Sequence, residues 1–261
     1  MDITLPTSSP LEPTARHFYL NALHILDQQK IDYLIGGGYA MASYTGIHRQ
    51  TKDLDVFIRQ QDRDRVLAAM QAAGYGTEIP WPHFLAKVIS GDAFIDILYN
   101  SGNGLSAVDD ACFAHAKPGE VLGKPVKLSS PEDMIWSKAF VMDRDRFDGA
   151  DVNHLIKRWG KSFDWNYLLA RFSGHERVLL AQLLLYGYVY PAERDLVPAG
   201  VIEQLMGRIR AEAPEQRKIC RGGFLSQNQY LVDFVCCQYQ DGRQKPLGPL
   251  TEEEIKQFTR P

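Results

Sequence analysis

The segment Asp53-Leu54-Asp55-Val56-Phe57-Ile58 constrains the fold of this chain more than any other. Side chains on a strand alternate between faces, so Asp53 and Asp55 share one face while Leu54, Val56 and Ile58 turn toward a core. Two carboxylates on one face of a half-buried strand repel each other, and a cation between them removes that cost. Mg²⁺ suits the position because it prefers oxygen ligands and keeps coordination places open for phosphate. Taken alone, an Asp-x-Asp pair reads as two solvated carboxylates on an edge strand.

Two further features bear on the choice. The short apolar run Tyr33-Leu34-Ile35 stops at Gly36-Gly37-Gly38, and a short helix over 39–44, closed by Gly46, follows. A strand that ends in glycines and enters a helix offers backbone N–H groups and a helix N-terminus to phosphate oxygens; the plain alternative is a tight turn. Asp96 stands in the middle of Phe94-Ile95-Asp96-Ile97-Leu98. A carboxylate there is costly unless an Arg or Lys pairs with it or a metal binds it, and the two readings weigh evenly. Beside the Asp53 strand it would lie about 4.8 Å away, a separation that suits a site with two metal ions about 3.5–4 Å apart.

Around these features the pattern predicts a helix over 15–29, a helix over 62–73 closed by Gly74, and strands over 84–89 and 94–99 joined by a turn at Ser90-Gly91-Asp92. Further short strands are expected at Ala111–His115 and Val126–Leu128. Ser130-Pro131-Glu132-Asp133 opens a helix reaching to about Met142, and another starts near Ala150. The stretch 178–189 is apolar nearly all round, as in a buried helix or a subunit interface. The expected class is α/β (α+β). A loose N-terminal arm (1–13) precedes an α/β domain (14–128) with a small mixed sheet flanked by helices, and a mainly helical domain (129–261) follows.

The formal net charge is −3. Proteins that grip long nucleic acid usually carry a basic surplus, so template-dependent polymerisation is disfavoured against a small-molecule, RNA-end or protein acceptor. No apolar run is long enough to cross a bilayer. The N-terminal residues lack a signal-peptide pattern. The four cysteines form no metal-binding or CxxC pattern. A cytoplasmic protein with reduced thiols is expected.

The order of strand, glycine turn, short helix, Asp-x-Asp strand, helix, and hairpin strand with Asp96 resembles the DNA polymerase β-like nucleotidyltransferase superfamily. Fourteen residues separate Gly38 from Asp53. Arg49-Gln50-Thr51-Lys52-Asp53-Leu54-Asp55 is similar to the Arg-x-Ser/Thr-x-Asp-Leu/Ile-Asp string of stand-alone prokaryotic members, namely the toxin-like AbiEii group and the aminoglycoside and lincosamide nucleotidyltransferases. The resemblance covers roughly residues 30–160. Tyr39 departs from it, standing where many members carry Ser or Thr.

The resemblance implies that Asp53 and Asp55 hold two Mg²⁺ ions, and that Asp96 holds the second ion and serves as base. It places Gly37, Gly38, Arg49 and Lys138 against the nucleotide, an NTP such as ATP. Lys138, Arg146, Asp148 and Asp151 follow the order of a Lys…Arg…Asp-x-x-Asp stretch in stand-alone members. Read without the family, Arg49 caps a helix end, Lys138 is solvated or ion-paired, and Asp148 and Asp151 are carboxylates at a helix start. The activity implied is transfer of an NMP to a hydroxyl of RNA or protein, as in toxin-like members, with an antitoxin or a second copy of the chain as partner. Two alternatives stay open: a small hydroxylated acceptor, and a non-catalytic nucleotide-binding module of the same fold. No membrane partner is expected.

Overall fold

The computed structural model describes residues 11–49, 51 and 53–258. The arm expected over 1–13 lies outside the described residues as far as residue 10, and so do Gln50 and Lys52. The chain divides into two compact units, one of residues 1–101 with 107–130, the other of 102–106 with 131–261. Among the described residues no helix is long and apolar enough to cross a membrane.

The first unit is built on a mixed sheet, with seven strands among the described residues. In chain order these are β1 (Leu34–Ile35), β2 (Asp53–Phe57), β3 (Gly76–Trp81), β4 (Leu85–Ser90), β5 (Ala93–Leu98), β6 (Lys117–Val121) and β7 (Lys124–Leu128). Their spatial order is β3-β4-β5-β2-β1-β7-β6. β2 runs parallel to β5, and β1 parallel to β7; the other pairs are antiparallel. Helices α1 (Pro13–Gln28), α2 (Gly37–Thr45), α3 (Arg63–Ala72) and α4 (Asp110–His115) accompany it. Alternation decides the central strand: Leu54 and Val56 are buried, whereas Asp53, Asp55 and Phe57 stay partly open. α1 buries Phe18, Tyr19, Ala22, Leu23 and Leu26, a stripe at helical spacing. Gly46 ends α2 at φ 72°, its N–H bonded to Ala42 O.

Four elements differ from expectation. Ala111–His115 is a helix, not a strand, because the Asp109 carboxylate accepts the Cys112 N–H at 2.9 Å and caps the first turn. β3 and β6 are additional strands. Both lie at the sheet's edges, where one side needs no ladder partner, so Pro80 and Pro118 are tolerated and no clean alternation is required. The helix from Pro131 stops at Lys138 instead of Met142. The following residues fold back on themselves, with Asp143 N–H on Arg146 O and Asp148 N–H on Val141 O.

In the second unit, α5 (Pro131–Lys138), α6 (Gly149–Trp159), α7 (Trp165–Arg171), α8 (Glu176–Val189), α9 (Ala199–Ala211), α10 (Leu231–Val235) and α11 (Glu252–Phe258) dominate. A two-residue parallel pair joins β8 (Ile219–Cys220) to β9 (Gln240–Asp241). Trp136, Phe140, Phe172, His175 and Phe224 form a ring cluster with centroids 4.7–5.8 Å apart. Such pairs add to plain area burial. Within the unit, Tyr167 and Arg171 both donate to the buried Asp133. α8 buries Leu179, Leu180, Gln182, Leu183 and Tyr186 and exposes Leu184, Leu185, Tyr188 and Val189. It therefore has one covered face and one open apolar face.

Candidate active site

The parallel ladder between β2 and β5 sets Asp55 directly beside Asp96, and Asp53 beside Phe94. Asp53 lies two residues from Asp55 on the same strand face. Each of the three carboxylates thereby brings one oxygen within 4.8 Å of the others. Like charges this close are held together only by compensating partners. Thr51 and Lys87 are such partners among the described residues. The Thr51 hydroxyl reaches Asp53 Oδ1 at 2.8 Å and Asp53 O at 3.0 Å. Lys87 Nζ donates to Asp96 Oδ1 at 2.7 Å from the neighbouring strand.

The glycine turn abuts the same carboxylates. Gly36 donates its N–H to Asp55 O at 3.1 Å. Gly37 holds φ +51°, and a Cβ built on it would overlap Asp55 Oδ2. No side chain fits there, which brings the first backbone N–H groups of α2 up to the acidic strand. A Cβ on Gly38 would come within 3.2 Å of Thr51 Cβ. A cavity of about 760 Å³ opens beside this turn, lined among others by Tyr19, Gly38, Tyr39, Arg49, Thr51 and Phe94.

Electrostatics follow the geometry. Burial pushes the Asp96 carboxyl above its ordinary range; Lys87 pulls it down and Asp53 pushes it up again. The Tyr19 hydroxyl is pushed up to about 12, first by burial and then by Tyr39 and the three carboxylates. Burial and Asp53 likewise raise Tyr39.

The residue types fit a divalent ion: hard oxygen donors, three of them, with carboxylates brought together against their own repulsion. The structure thus brings Asp53, Asp55, Asp96, Gly37 and Gly38 together, with Arg49 on the adjoining cavity. Lys138 belongs to the second unit. There it donates to Asp148 Oδ2 at 3.1 Å and to Asp151 Oδ2 at 2.8 Å. Burial pushes the Asp148 carboxyl up, and Arg146 and Lys138 more than reverse it, leaving it below its usual range.

Lys87 carries no family motif and escapes the sequence reading, although a signal existed. Ser90 pairs with Ala93 across a two-residue loop, with Gly91 at φ +59° in its first position. That loop length alone sets Lys87 opposite Asp96. Tyr19 gave no signal, since it sits in an ordinary apolar helix stripe.

A family model described as an uncharacterised nucleotidyltransferase matches residues 22–191, more than half of the chain. No curated protein matches it. Among solved structures, ANT(2″)-Ia in complex with adenylyl-2″-tobramycin is 18% identical over 62% of this chain and 96% of its own, with a TM-score of 0.45. The lincosamide antibiotic adenylyltransferase LnuA, lincomycin-bound, is 16% identical over 56% and 98%, at 0.40. An antigenic nucleotidyltransferase-like protein from Paracoccidioides brasiliensis is 18% identical over 67% and 94%, at 0.38.

Proposed function

The chain belongs to the nucleotidyltransferase family whose model it matches, and from that premise we propose that it moves an NMP from an NTP to a hydroxyl of an RNA or protein acceptor, using two Mg²⁺ ions. The observation that carries this reading is the meeting of Asp53, Asp55 and Asp96 behind a turn that only glycine can make. Asp53 and Asp55 are assigned to both ions and Asp96 to one. Bound there, the ions would offset charge on the leaving pyrophosphate and activate the attacking oxygen.

The protein's own groups do the rest. The turn at Gly37 and Gly38 presents N–H groups to phosphate oxygens, and Arg49 adds a guanidinium from the cavity wall. The acceptor oxygen attacks the α-phosphorus, the bond from that phosphorus to the bridging oxygen breaks, and pyrophosphate departs. The hydroxyl proton passes to Asp96, a role suited to a carboxyl raised by burial. NTP as substrate and Mg²⁺ as cofactor support a cytoplasmic location for the enzyme. Gly37-Gly38-Tyr39-Ala40, the string ending in Asp55 and the Arg146–Asp151 stretch together resemble the toxin-like members more, which supports the RNA or protein acceptor and, with it, an antitoxin partner. The cavity favours a second reading, because about 300–1,000 Å³ is the usual size of a small-molecule site: a small hydroxylated acceptor.

Mg²⁺-dependent labelling of lysate components from each α-phosphorus-labelled NTP, over a blank without the protein, tests the reaction. Labelled NTP added to a lysate, followed by separation of RNA, protein and small molecules, tests the acceptor. Absence of Mg²⁺-dependent labelling with all four NTPs sinks the proposal, and label confined to small molecules selects the second reading.

Lys138 is proposed to meet the β- and γ-phosphates. One charge-assisted contact contributes about 1.5–3 kcal/mol, so Lys138→Ala should raise the NTP requirement or slow turnover by about ten- to a hundredfold. Asp148 and Asp151 lose a cation in this variant, so thermal unfolding is followed alongside, with Lys138→Arg as control. Unchanged kinetics in a folded Lys138→Ala protein would leave Lys138 as a structural ion-pair partner only.

A further inference from the structure

Among the described residues, Lys87 places an ammonium in a hydrogen bond with the carboxylate cluster. Its Cα stands opposite Asp96 on β4, its ammonium lies 2.7 Å from Asp96 Oδ1, and its Nζ sits 4.0 Å from the centre of the Phe94 ring. Both partners of the pair are largely shielded, with side chains 22% and 15% exposed. The ring and the strand register fix where this charge can be. Asp96 in turn is the carboxylate that the β2–β5 ladder sets beside Asp55.

We propose that Lys87 is a built-in counter-ion of the cation site, which offsets the cluster without metal and shares Asp96 with the metal when it binds. The proposal rests on reading the cluster as a divalent-cation site, and not on the identity of the acceptor. The physical basis is direct. Three carboxylates within a few ångströms repel unless a positive charge lies among them, and the Lys87 ammonium supplies one. The same charge opposes an incoming divalent ion, because like charges at short range in a partly shielded site interact strongly. Lys87 therefore trades metal affinity for stability of the metal-free fold, and holds one Asp96 oxygen in place throughout.

A plain cross-strand ion pair makes a different prediction, since it would leave metal affinity indifferent to Lys87. Mn²⁺ binding to the full chain without NTP, followed by calorimetry, separates the two. Lys87→Met keeps the stem and removes the charge. It should bind Mn²⁺ about ten- to a hundredfold more tightly than the wild type. It should also unfold at a lower temperature without metal and gain more from added Mn²⁺. Lys87→Gln keeps a donor for Asp96 and covers the case in which Lys87→Met does not fold; it should shift affinity in the same direction. Lys87→Arg, which keeps the charge, should stay near the wild type.

Equal or weaker Mn²⁺ affinity in the folded neutral variants overturns the proposal while leaving the cluster a metal site. A wild-type protein that takes up no Mn²⁺ overturns the metal reading of the cluster itself, and this proposal with it.

Discussion

Asp55→Asn is expected to abolish nucleotidyl transfer while leaving the metal-free protein at least as stable as the wild type. Asp55 is the middle member of the cluster, beside Asp96 across one ladder rung and two residues from Asp53. An amide in its place offers a neutral oxygen where the proposed ions need a charged one. Removing a group that stabilises developing charge commonly costs on the order of a hundred- to a thousandfold in turnover, and a shared ligand belongs at the upper end or beyond. Stability moves the other way. With no metal present the three carboxylates outnumber the Lys87 charge and repel, and deleting one charge relieves that repulsion. Transfer of label from NTP with lysate as acceptor source, and a thermal melt in chelator, read the two effects separately. Wild-type transfer in Asp55→Asn would rule out the role proposed for this carboxylate; a collapsed melt would make Asp55 a structural residue.

Gly37→Ala carries the second large effect, for a reason no motif states. Gly37 sits at φ +51° and its missing side chain is the space that Asp55 Oδ2 occupies. Alanine there must bear left-handed strain of about 1–2 kcal/mol and must also displace either the carboxylate or the turn. Both displacements separate the α2 N-terminus from the acidic strand. Transfer should fall by roughly a hundredfold or more, with weakened Mn²⁺ binding. Gly46→Ala is the matched control. Gly46 holds φ +72° at the other end of the same helix, yet a Cβ there meets nothing within 4 Å. It should show the backbone strain alone, about 1–2 kcal/mol in denaturant unfolding, and keep its activity. If Gly37→Ala transfers as well as Gly46→Ala, the close approach of turn and carboxylate has no part in the reaction.

Much of the α/β unit could be read before any coordinates. The alternation around Leu54 and Val56, the glycine turn into a short helix, and the hairpin carrying Asp96 are local signals, and each became the element it implied. They are legible because strand period, glycine backbone freedom and turn chemistry act over a few residues. Where local signals competed, the reading went astray. Asp109 and Asp110 made a capped helix of a short apolar run at Ala111–His115, and the fold-back after Lys138 cut short a helix whose apolar pattern continued.

By itself, the sequence determined which face of β2 carries the carboxylates, where the chain must turn on glycine, and that Asp96 needs a partner, since all three follow from covalent neighbours and side-chain period. Tertiary structure alone decided who that partner is and how close the pieces come. The parallel ladder of β2 on β5 sets Asp55 beside Asp96, and the hairpin brings the Lys87 ammonium to the same carboxylate. The fold of the turn leaves Asp55 Oδ2 in the space a Gly37 side chain would take. Edge position made strands of Gly76–Trp81 and Lys117–Val121 despite their prolines. Distance between residues far apart in the chain is a product of packing, and packing is a property of the whole core that no local pattern encodes.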